Sequence, residues 1–186
     1  MGDLRILGFA GSLRRASYNR ALLRAAREQA PDGMIITIFD LIDIPLYNGD
    51  VEASGEPPVV ARLRQEIRSA DGILMVTPEY NHGVPGVLKN AVDWCSRPPQ
   101  DAALARKPVG LMGASPGSTG TARAQSQLRQ SFEFTSSYAM PQPEFLMARA
   151  NEKFDAEGKL TDEPTRLFLQ RFLRAFADWV RLFGPR

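Results

Sequence analysis

Short apolar runs recur along the chain, and a stretch with helical spacing of apolar residues follows each of them. The runs are nearly continuous rather than alternating, which is typical of strands covered on both faces, as in a parallel sheet. Strands that alternate with helices predict a doubly wound α/β fold. We therefore expect a five-stranded parallel sheet with helices on both faces. The predicted strands are residues 4–10, 34–41, 72–78 and 108–115, with a weaker fifth strand at 144–148.

Domain number, loops and helices are also predicted from the sequence. A length of 186 residues favours one domain, so residues 1–186 are expected to form a single unit. Two less regular segments, 42–57 and 97–106, are predicted as loops, and Trp94 and Cys95 as core residues. The predicted helices are 18–29, 57–70, 85–95, 121–132 and 163–183.

Charge and rare residues narrow the classes of function. The chain has 23 Lys and Arg against 21 Asp and Glu, which gives no general case for nucleic-acid binding. One cysteine, Cys95, and one histidine, His82, exclude an intrachain disulfide, a cysteine cluster and a His-rich metal site, so no metal is expected. The absence of a signal-peptide core and of an 18-residue apolar run leads us to expect a cytoplasmic protein without a membrane partner.

The loop GSLRRASYN, residues 11–19, follows the first predicted strand and leads into a helix. Ligands of such folds bind at the carboxyl ends of the strands, and a helix N-terminus favours anions. Ser12, Ser17 and Asn19 add neutral donors, and Arg14 adds a charged, bidentate one. This set predicts a cradle for a phosphate monoester. In the plainer alternative, Ser17 and Asn19 only cap the helix and the arginines are solvated.

The type of phosphate ligand is narrowed by two missing motifs. The P-loop pattern GxxxxGK[ST] and the Rossmann glycine pattern are both absent, which disfavours ATP, GTP and a bridging pyrophosphate at this loop. A large polar loop leaves room for a terminal phosphate, such as that of a flavin mononucleotide (FMN).

Two further loops follow the third and fourth strands. PEYNHGVPGVLKNAVDW, residues 78–94, displays Glu79, Tyr80, Asn81 and His82 without an evident core role. GASPGSTGT, residues 113–121, offers glycines for close approach and the hydroxyl of Ser115. All three loops are expected to converge on one crevice that holds a planar ligand. As alternatives, His82 only stabilises its loop and Tyr80 serves a protein interface.

Together, GSLRRASYN, PEYNHGVPGVLKNAVDW and GASPGSTGTARAQ resemble the NADPH-dependent FMN reductase family, which has a flavodoxin-like fold. The resemblance spans nearly the whole chain, and its middle stretch is the most specific. It implies that FMN lies with its phosphate on the first loop and its isoalloxazine against the second, with Ser115 nearby. The implied cofactor-binding residues are Ser12, Arg14, Ser17, Asn19, Pro78, Glu79, Tyr80, Asn81, His82, Gly83 and Ser115.

The resemblance also implies an activity. NADPH or NADH would donate hydride, and the flavin would reduce a small acceptor: a quinone, an azo compound, chromate or free flavin. The flavin carries this chemistry, so no catalytic side chain is expected. A homodimer or homotetramer is implied, with residues 121–130 and Glu144 at its interface, and Arg97 and Arg106 as candidates for a nicotinamide nucleotide phosphate. The alternative is a non-enzymatic FMN-binding electron carrier or redox sensor, although flavodoxins are usually strongly acidic and this chain is not.

Overall fold

One parallel sheet forms the centre of the computed structural model, which describes residues 2–183. Its six strands are β1 (Leu4–Ala10), β2 (Met34–Ile38), β3 (Gly72–Val76), β4 (Pro108–Ala114), β5 (Tyr138–Ala139) and β6 (Phe145–Met147). The strand order is β2-β1-β3-β4, and β5 and β6 both pair with β4. Every pair is parallel, so the predicted doubly wound α/β architecture is confirmed.

Helices cover both faces of the sheet, as predicted. They are α1 (Tyr18–Glu28), α2 (Gly49–Ser54), α3 (Pro58–Ser69), α4 (Gly86–Cys95), α5 (Ala122–Thr135) and α6 (Glu163–Phe183). One hydrophobic cluster joins α1 and α6 to the sheet, and a second cluster joins α3, α4 and α5 to the opposite face. Within residues 2–183, no helix is both long and apolar enough to cross a membrane.

The near-continuous apolar runs are explained by this double coverage. Ile6 packs into the α1–α6 cluster, whereas the next residue, Leu7, packs into the other. Because successive side chains of a strand point to opposite faces, both must be apolar. Trp94 and Cys95 are both 1% exposed, as expected for core residues.

The fifth strand position differs from the prediction. Two short strands share it: β5 pairs with Pro108 and Val109 at the start of β4, and β6 pairs with the last three residues of β4. The weak strand predicted at 144–148 corresponds to β6. The two-residue strand β5 is too short to produce a recognisable apolar run.

Strand β2 and the segment that follows it also depart from the sequence prediction. Strand β2 ends at Ile38 instead of continuing to residue 41. The segment predicted as a loop over 42–57 contains α2, which buries none of its side chains and therefore leaves no apolar periodicity. Its N-terminus is capped by the Asn48 side chain, which accepts from the Asp50 N–H at 2.9 Å.

Candidate functional site

Three loops meet at the carboxyl-end edge of the sheet, after β1, β3 and β4. They enclose a cleft that contains eight of the eleven residues predicted from the sequence, together with Tyr18, Ala114 and Pro116. Asn81, His82 and Gly83 belong to the same second loop but do not line this cleft. The eight residues are Ser12, Arg14, Ser17, Asn19, Pro78, Glu79, Tyr80 and Ser115.

Ser12 and Ser17 present hydroxyl groups from the first loop, and both residues are at most 5% exposed. Ser17 caps α1, since its Oγ accepts from the N–H groups of Asn19 (3.2 Å) and Arg20 (3.4 Å). A hydroxyl that accepts in this way still has its proton to donate. Ser12 Oγ lies 3.4 Å from the Tyr80 hydroxyl, which joins the first loop to the second. The capping role and a ligand-binding role are therefore compatible at Ser17.

Asn19 fixes α1 to the end of β4. Its side-chain amide donates to the Ala114 carbonyl and accepts from the Ala114 N–H, both at 2.9 Å. The side chain is thus held in one orientation, 3% exposed, and its amide nitrogen keeps one N–H free of this pair. Sequence reasoning placed Asn19 at the site but did not foresee this link across the sheet.

Arg14 supplies the positive charge at the cleft. The residue is exposed, and its Nη2 donates to the Ala16 carbonyl at 3.2 Å. A guanidinium has five N–H donors, so most of them stay available to an anion. Neutral hydroxyl and amide donors beside one guanidinium form a set that suits a phosphate group.

The second loop ends in a tight two-residue turn. Tyr80 and Gly83 exchange both backbone hydrogen bonds, at 3.1 and 3.0 Å. Asn81 and His82 between them have φ values of 51° and 64°, as a type I′ turn requires. The turn is held against α5 because Gln127 Oε1 accepts from the Val84 N–H at 2.7 Å. The backbone N–H groups of Asn81 and His82 take no part in the two hydrogen bonds that close the turn.

His82 provides a test of this turn. A non-glycine residue in the left-handed region loses about 1–2 kcal/mol of folding stability, which glycine does not. Glycine recovers only part of this difference, because its greater freedom in the unfolded chain costs about 0.5–1 kcal/mol. We therefore expect His82→Gly to raise the free energy of unfolding by up to about 1 kcal/mol, measured by urea denaturation. His82→Ala keeps the Cβ and serves as the control; equal stability of the two variants would contradict the assignment of the turn.

Glu79 does not present its carboxylate to the cleft. Its Oε2 accepts from the N–H groups of Arg123 (2.9 Å) and Ala124 (3.2 Å) at the start of α5, and its Oε1 from the Arg123 guanidinium (3.2 Å). The side chain is 8% exposed. Burial by itself raises the pKa of this carboxyl, but the hydrogen bonds from Ala124 and Arg123 outweigh it and hold the pKa below its ordinary value. Glu79 therefore fastens the second loop to the third.

The third loop is held by the end of β6 and the chain that follows it. The Ser115 N–H donates to the Met147 carbonyl at 2.9 Å, and the Ser115 carbonyl accepts from the Ala150 N–H at 3.0 Å. Ser115 Oγ accepts from the Gly117 N–H at 3.1 Å, which closes the loop on itself. The hydroxyl at the cleft is thus rigidly placed.

Two arginines suggested by the sequence lie elsewhere. Arg97 and Arg106 flank the connection from the end of α4 to the start of β4, at the amino-end edge of the sheet. This edge is opposite the cleft, so neither arginine reaches a ligand in the cleft of its own chain. The Arg97 guanidinium instead lies over the Phe134 ring at 5.6 Å.

A fold and a cleft of this kind define a flavodoxin-like nucleotide-binding protein. The family model of NADPH-dependent FMN reductases matches residues 4–152, and the chain belongs to that family. It is accordingly an oxidoreductase that works with FMN and NAD(P)H, as the sequence predicted.

Individual relatives agree with this assignment. The chain is 48% identical over 179 residues to an NAD(P)H-dependent FMN reductase of Pseudomonas aeruginosa, with 96% of each chain covered. It is 46% identical over 172 residues to a quinone reductase of Pseudomonas putida, with 92% of each covered. The solved structure of FerB, a flavoenzyme NAD(P)H:(acceptor) oxidoreductase of Paracoccus denitrificans, matches with a TM-score of 0.90 at 36% identity. That match covers 98% of this chain and 100% of FerB.

The residues of the cleft fit FMN. Two buried hydroxyls, one amide N–H and one guanidinium are gathered at the N-terminus of α1, and no carboxylate is free among the lining residues because Glu79 is bound to α5. An anionic phosphate is therefore favoured there. Next to the cleft, the backbone N–H groups of Asn81 and His82 take no part in closing the turn and remain available to a ligand.

Proposed function

We propose that the cleft binds the FMN phosphate through Ser12, Arg14, Ser17 and Asn19, and the isoalloxazine along the loops after β3 and β4. The observation that carries this proposal is that strand ends distant in sequence bring eight of the eleven predicted residues into one cleft. Asn81, His82 and Gly83 contribute through the shape and backbone of their turn, and Glu79 through its hold on α5. Ser115 borders the ring.

The protein's part in the reaction is binding and orientation. Bound FMN supplies the redox chemistry, taking hydride from NAD(P)H and passing two electrons to the acceptor. The backbone N–H groups of Asn81 and His82, next to the cleft, would supply fixed donors to negative charge on the edge of a bound isoalloxazine. Tyr80 lines the cleft and is 50% exposed, so its ring would border a bound isoalloxazine. No side chain needs to act as a nucleophile or general base.

A quinone is the proposed acceptor. The Pseudomonas putida relative is a quinone reductase, which supports this choice over an azo compound, chromate or free flavin. A quinone is also planar and apolar, so it can stack on the ring face that the nicotinamide leaves. The exposed ring of Tyr80 at the cleft would offer an aromatic surface for such stacking.

A homodimer or homotetramer is proposed as the working form. Support comes from large apolar side chains on the surface, among them Leu46 at 84%, Phe134 at 62% and Ile42 at 58% exposed. Light scattering of the purified protein measures the subunit number directly.

The proposal also includes the location and the domain organisation of the protein. The location is the cytoplasm, where NAD(P)H is supplied, and residues 1–186 form one FMN-binding domain.

The test of the function is a flavin titration followed by turnover. We expect stoichiometric FMN binding and steady NADPH consumption in the presence of a benzoquinone. FMN binding without NADPH or NADH consumption would support the electron carrier or sensor instead. Failure to bind FMN would overturn the proposal.

Arg14→Ala tests the phosphate assignment. Loss of a charged hydrogen bond costs roughly 1.5–3 kcal/mol, so the FMN dissociation constant should rise about tenfold to a hundredfold. Fluorescence quenching of FMN on binding measures this change. Arg27→Ala removes a guanidinium from the last turn of α1, outside the cleft, and should leave FMN affinity as in the wild type. An unchanged FMN dissociation constant in Arg14→Ala would show that the phosphate lies elsewhere.

A further inference from the structure

A second cavity adjoins the phosphate end of the cleft. It has a volume of about 470 Å³ and lies between the first loop, α1 and a turn at residues 154–158. Arg14, Ser17 and Tyr18 line both spaces, so the cavity continues outward from the phosphate donors. FMN ends at its phosphate, and the cavity therefore has room for a different group.

Two arginines of this cavity have no partner in the described part of the chain. Arg15 and Arg24 form no ion pair or side-chain hydrogen bond there, unlike Arg20, which is paired with Asp40 at 2.7 Å. Arg24 is only half exposed. It is seated against Gly158, where an added Cβ would lie 3.0 Å from Arg24 Nη2. Two guanidinium groups thus border one space, and neither is paired with a carboxylate of that space.

The remaining lining is not that of a simple anion site. Tyr18 and Phe154 stack with their ring centroids 5.8 Å apart and 25° between the ring planes, which gives an aromatic wall. The turn adds the carboxylates of Asp155 and Glu157, which suit hydroxyl and amino donors. This lining is complementary to a nucleotide. The arginines suit its phosphate, the aromatic rings suit its base, and the carboxylates suit its ribose hydroxyls.

The turn that closes the cavity is well defined. Asp155 and Lys159 are joined by a backbone hydrogen bond at 3.0 Å, and Asp155 Oδ1 accepts from the Lys159 N–H at 2.7 Å. Gly158 has a φ of +78°, which permits the reversal of the chain. The family match ends at residue 152, so this wall is contributed by a segment outside it.

We propose that this cavity binds the adenosine 2′-phosphate end of NADPH, with Arg15 and Arg24 on the phosphate and the adenine against Tyr18 and Phe154. A 2′-phosphate carries close to two negative charges at pH 7 and matches the two unpartnered arginines. NADH has no such group. The inference rests on the proposed function and makes Arg15 and Arg24 the determinants of NADPH preference.

Calorimetric titration with two probes tests the proposal. Adenosine 2′,5′-bisphosphate and adenosine 5′-monophosphate differ only in the 2′-phosphate. We expect the FMN-loaded protein to bind the bisphosphate at least about tenfold more tightly, and Arg24→Gln or Arg15→Gln to remove most of this difference. Arg27→Gln, on the same helix but outside the cavity, is the matched control and should preserve it.

Kinetics give a second measurement. In Arg24→Gln, KM for NADPH should rise about tenfold with kcat unchanged, because binding energy is lost equally from ground and transition states. KM for NADH should stay near the wild-type value. Arg15 lies on an exposed loop, so Arg15→Gln provides the result if Arg24→Gln does not fold.

Failure of this inference is distinguishable from failure of the proposed function. If the variants bind FMN and turn over NADPH but keep the bisphosphate preference, the inference is wrong and the function stands. If Arg27→Gln lost the bisphosphate preference to the same extent, the preference would be a general effect of charge, and the inference would also be wrong. If the chain binds no FMN, the same titration on the flavin-free protein still decides whether Arg24 selects the 2′-phosphate.

Discussion

Gly113→Ala should lower the free energy of unfolding by about 3 kcal/mol, at the upper end of overpacking costs, and weaken FMN binding with it. A Cβ at this position would lie 1.7 Å from Thr121 Oγ1 and 2.6 Å from the Thr77 carbonyl oxygen. Thr121 is fully buried, and its Oγ1 accepts from Gln125 Nε2 at 3.0 Å, so it cannot move aside freely. The clash therefore forces the loops after β3 and β4 apart.

Urea denaturation and FMN titration measure the two effects. Gly117→Ala is the matched control, because the nearest atom to its Cβ would be Ser115 Oγ at 3.4 Å, an ordinary contact. We expect Gly117→Ala to stay within about 0.5 kcal/mol of the wild type. Equal stability of Gly113→Ala and Gly117→Ala would mean that the packing of β4 against Thr121 is not as described.

Glu79→Ala is expected to destabilise the fold by roughly 3 kcal/mol. The substitution removes a charged acceptor from two backbone N–H groups and a guanidinium, and each charged hydrogen bond contributes about 1.5–3 kcal/mol before the N–H groups are rehydrated. Because the carboxylate fastens the second loop to α5, FMN affinity should fall as well. Glu79→Gln keeps one acceptor oxygen and should recover part of both losses. If Glu79→Ala left FMN binding and stability intact, the cap on α5 would have no role.

The same carboxylate predicts a pH dependence. Its pKa in the folded protein lies below the ordinary value of 4.5, so its stabilising effect is fully present above that pH. The effect is lost as the pH falls through the lower, folded-state pKa. The stability difference between wild type and Glu79→Gln should therefore be constant near neutrality and shrink in acid. A difference that grew as the pH fell would contradict the assigned shift.

The sequence predicts the central strands well because burial on both faces leaves an unmistakable pattern. The predicted start and end of β1 are those found, and the predicted β3 and β4 differ only at their ends. Helix α2 and strand β5 were missed for the same reason: neither contributes enough buried side chains to show a period. The spacing of apolar residues reveals elements that bury one or both faces. A short exposed element buries too few side chains to produce such a spacing.

The site illustrates a different limit. Motifs identified the residues around the cleft, but not which side chains face it. Glu79 lines the cleft, but the sequence does not reveal that its carboxylate binds the start of α5, 44 residues further along the chain. Arg97 and Arg106 are cationic and close to a polar loop in sequence, yet they lie at the opposite edge of the sheet. Pairings over such distances depend on the fold and leave no local signal.

The link between Asn19 and Ala114 has a consequence for how the protein matures during synthesis. Helix α1, which we propose to face the FMN phosphate, is oriented by a strand end 95 residues later, and that strand end is in turn held by Met147 and Ala150. A nascent chain therefore has no complete cleft until residue 150 has emerged from the ribosome. We therefore expect FMN to bind only after these segments have been synthesised and folded, because the proposed donors are not brought together before then.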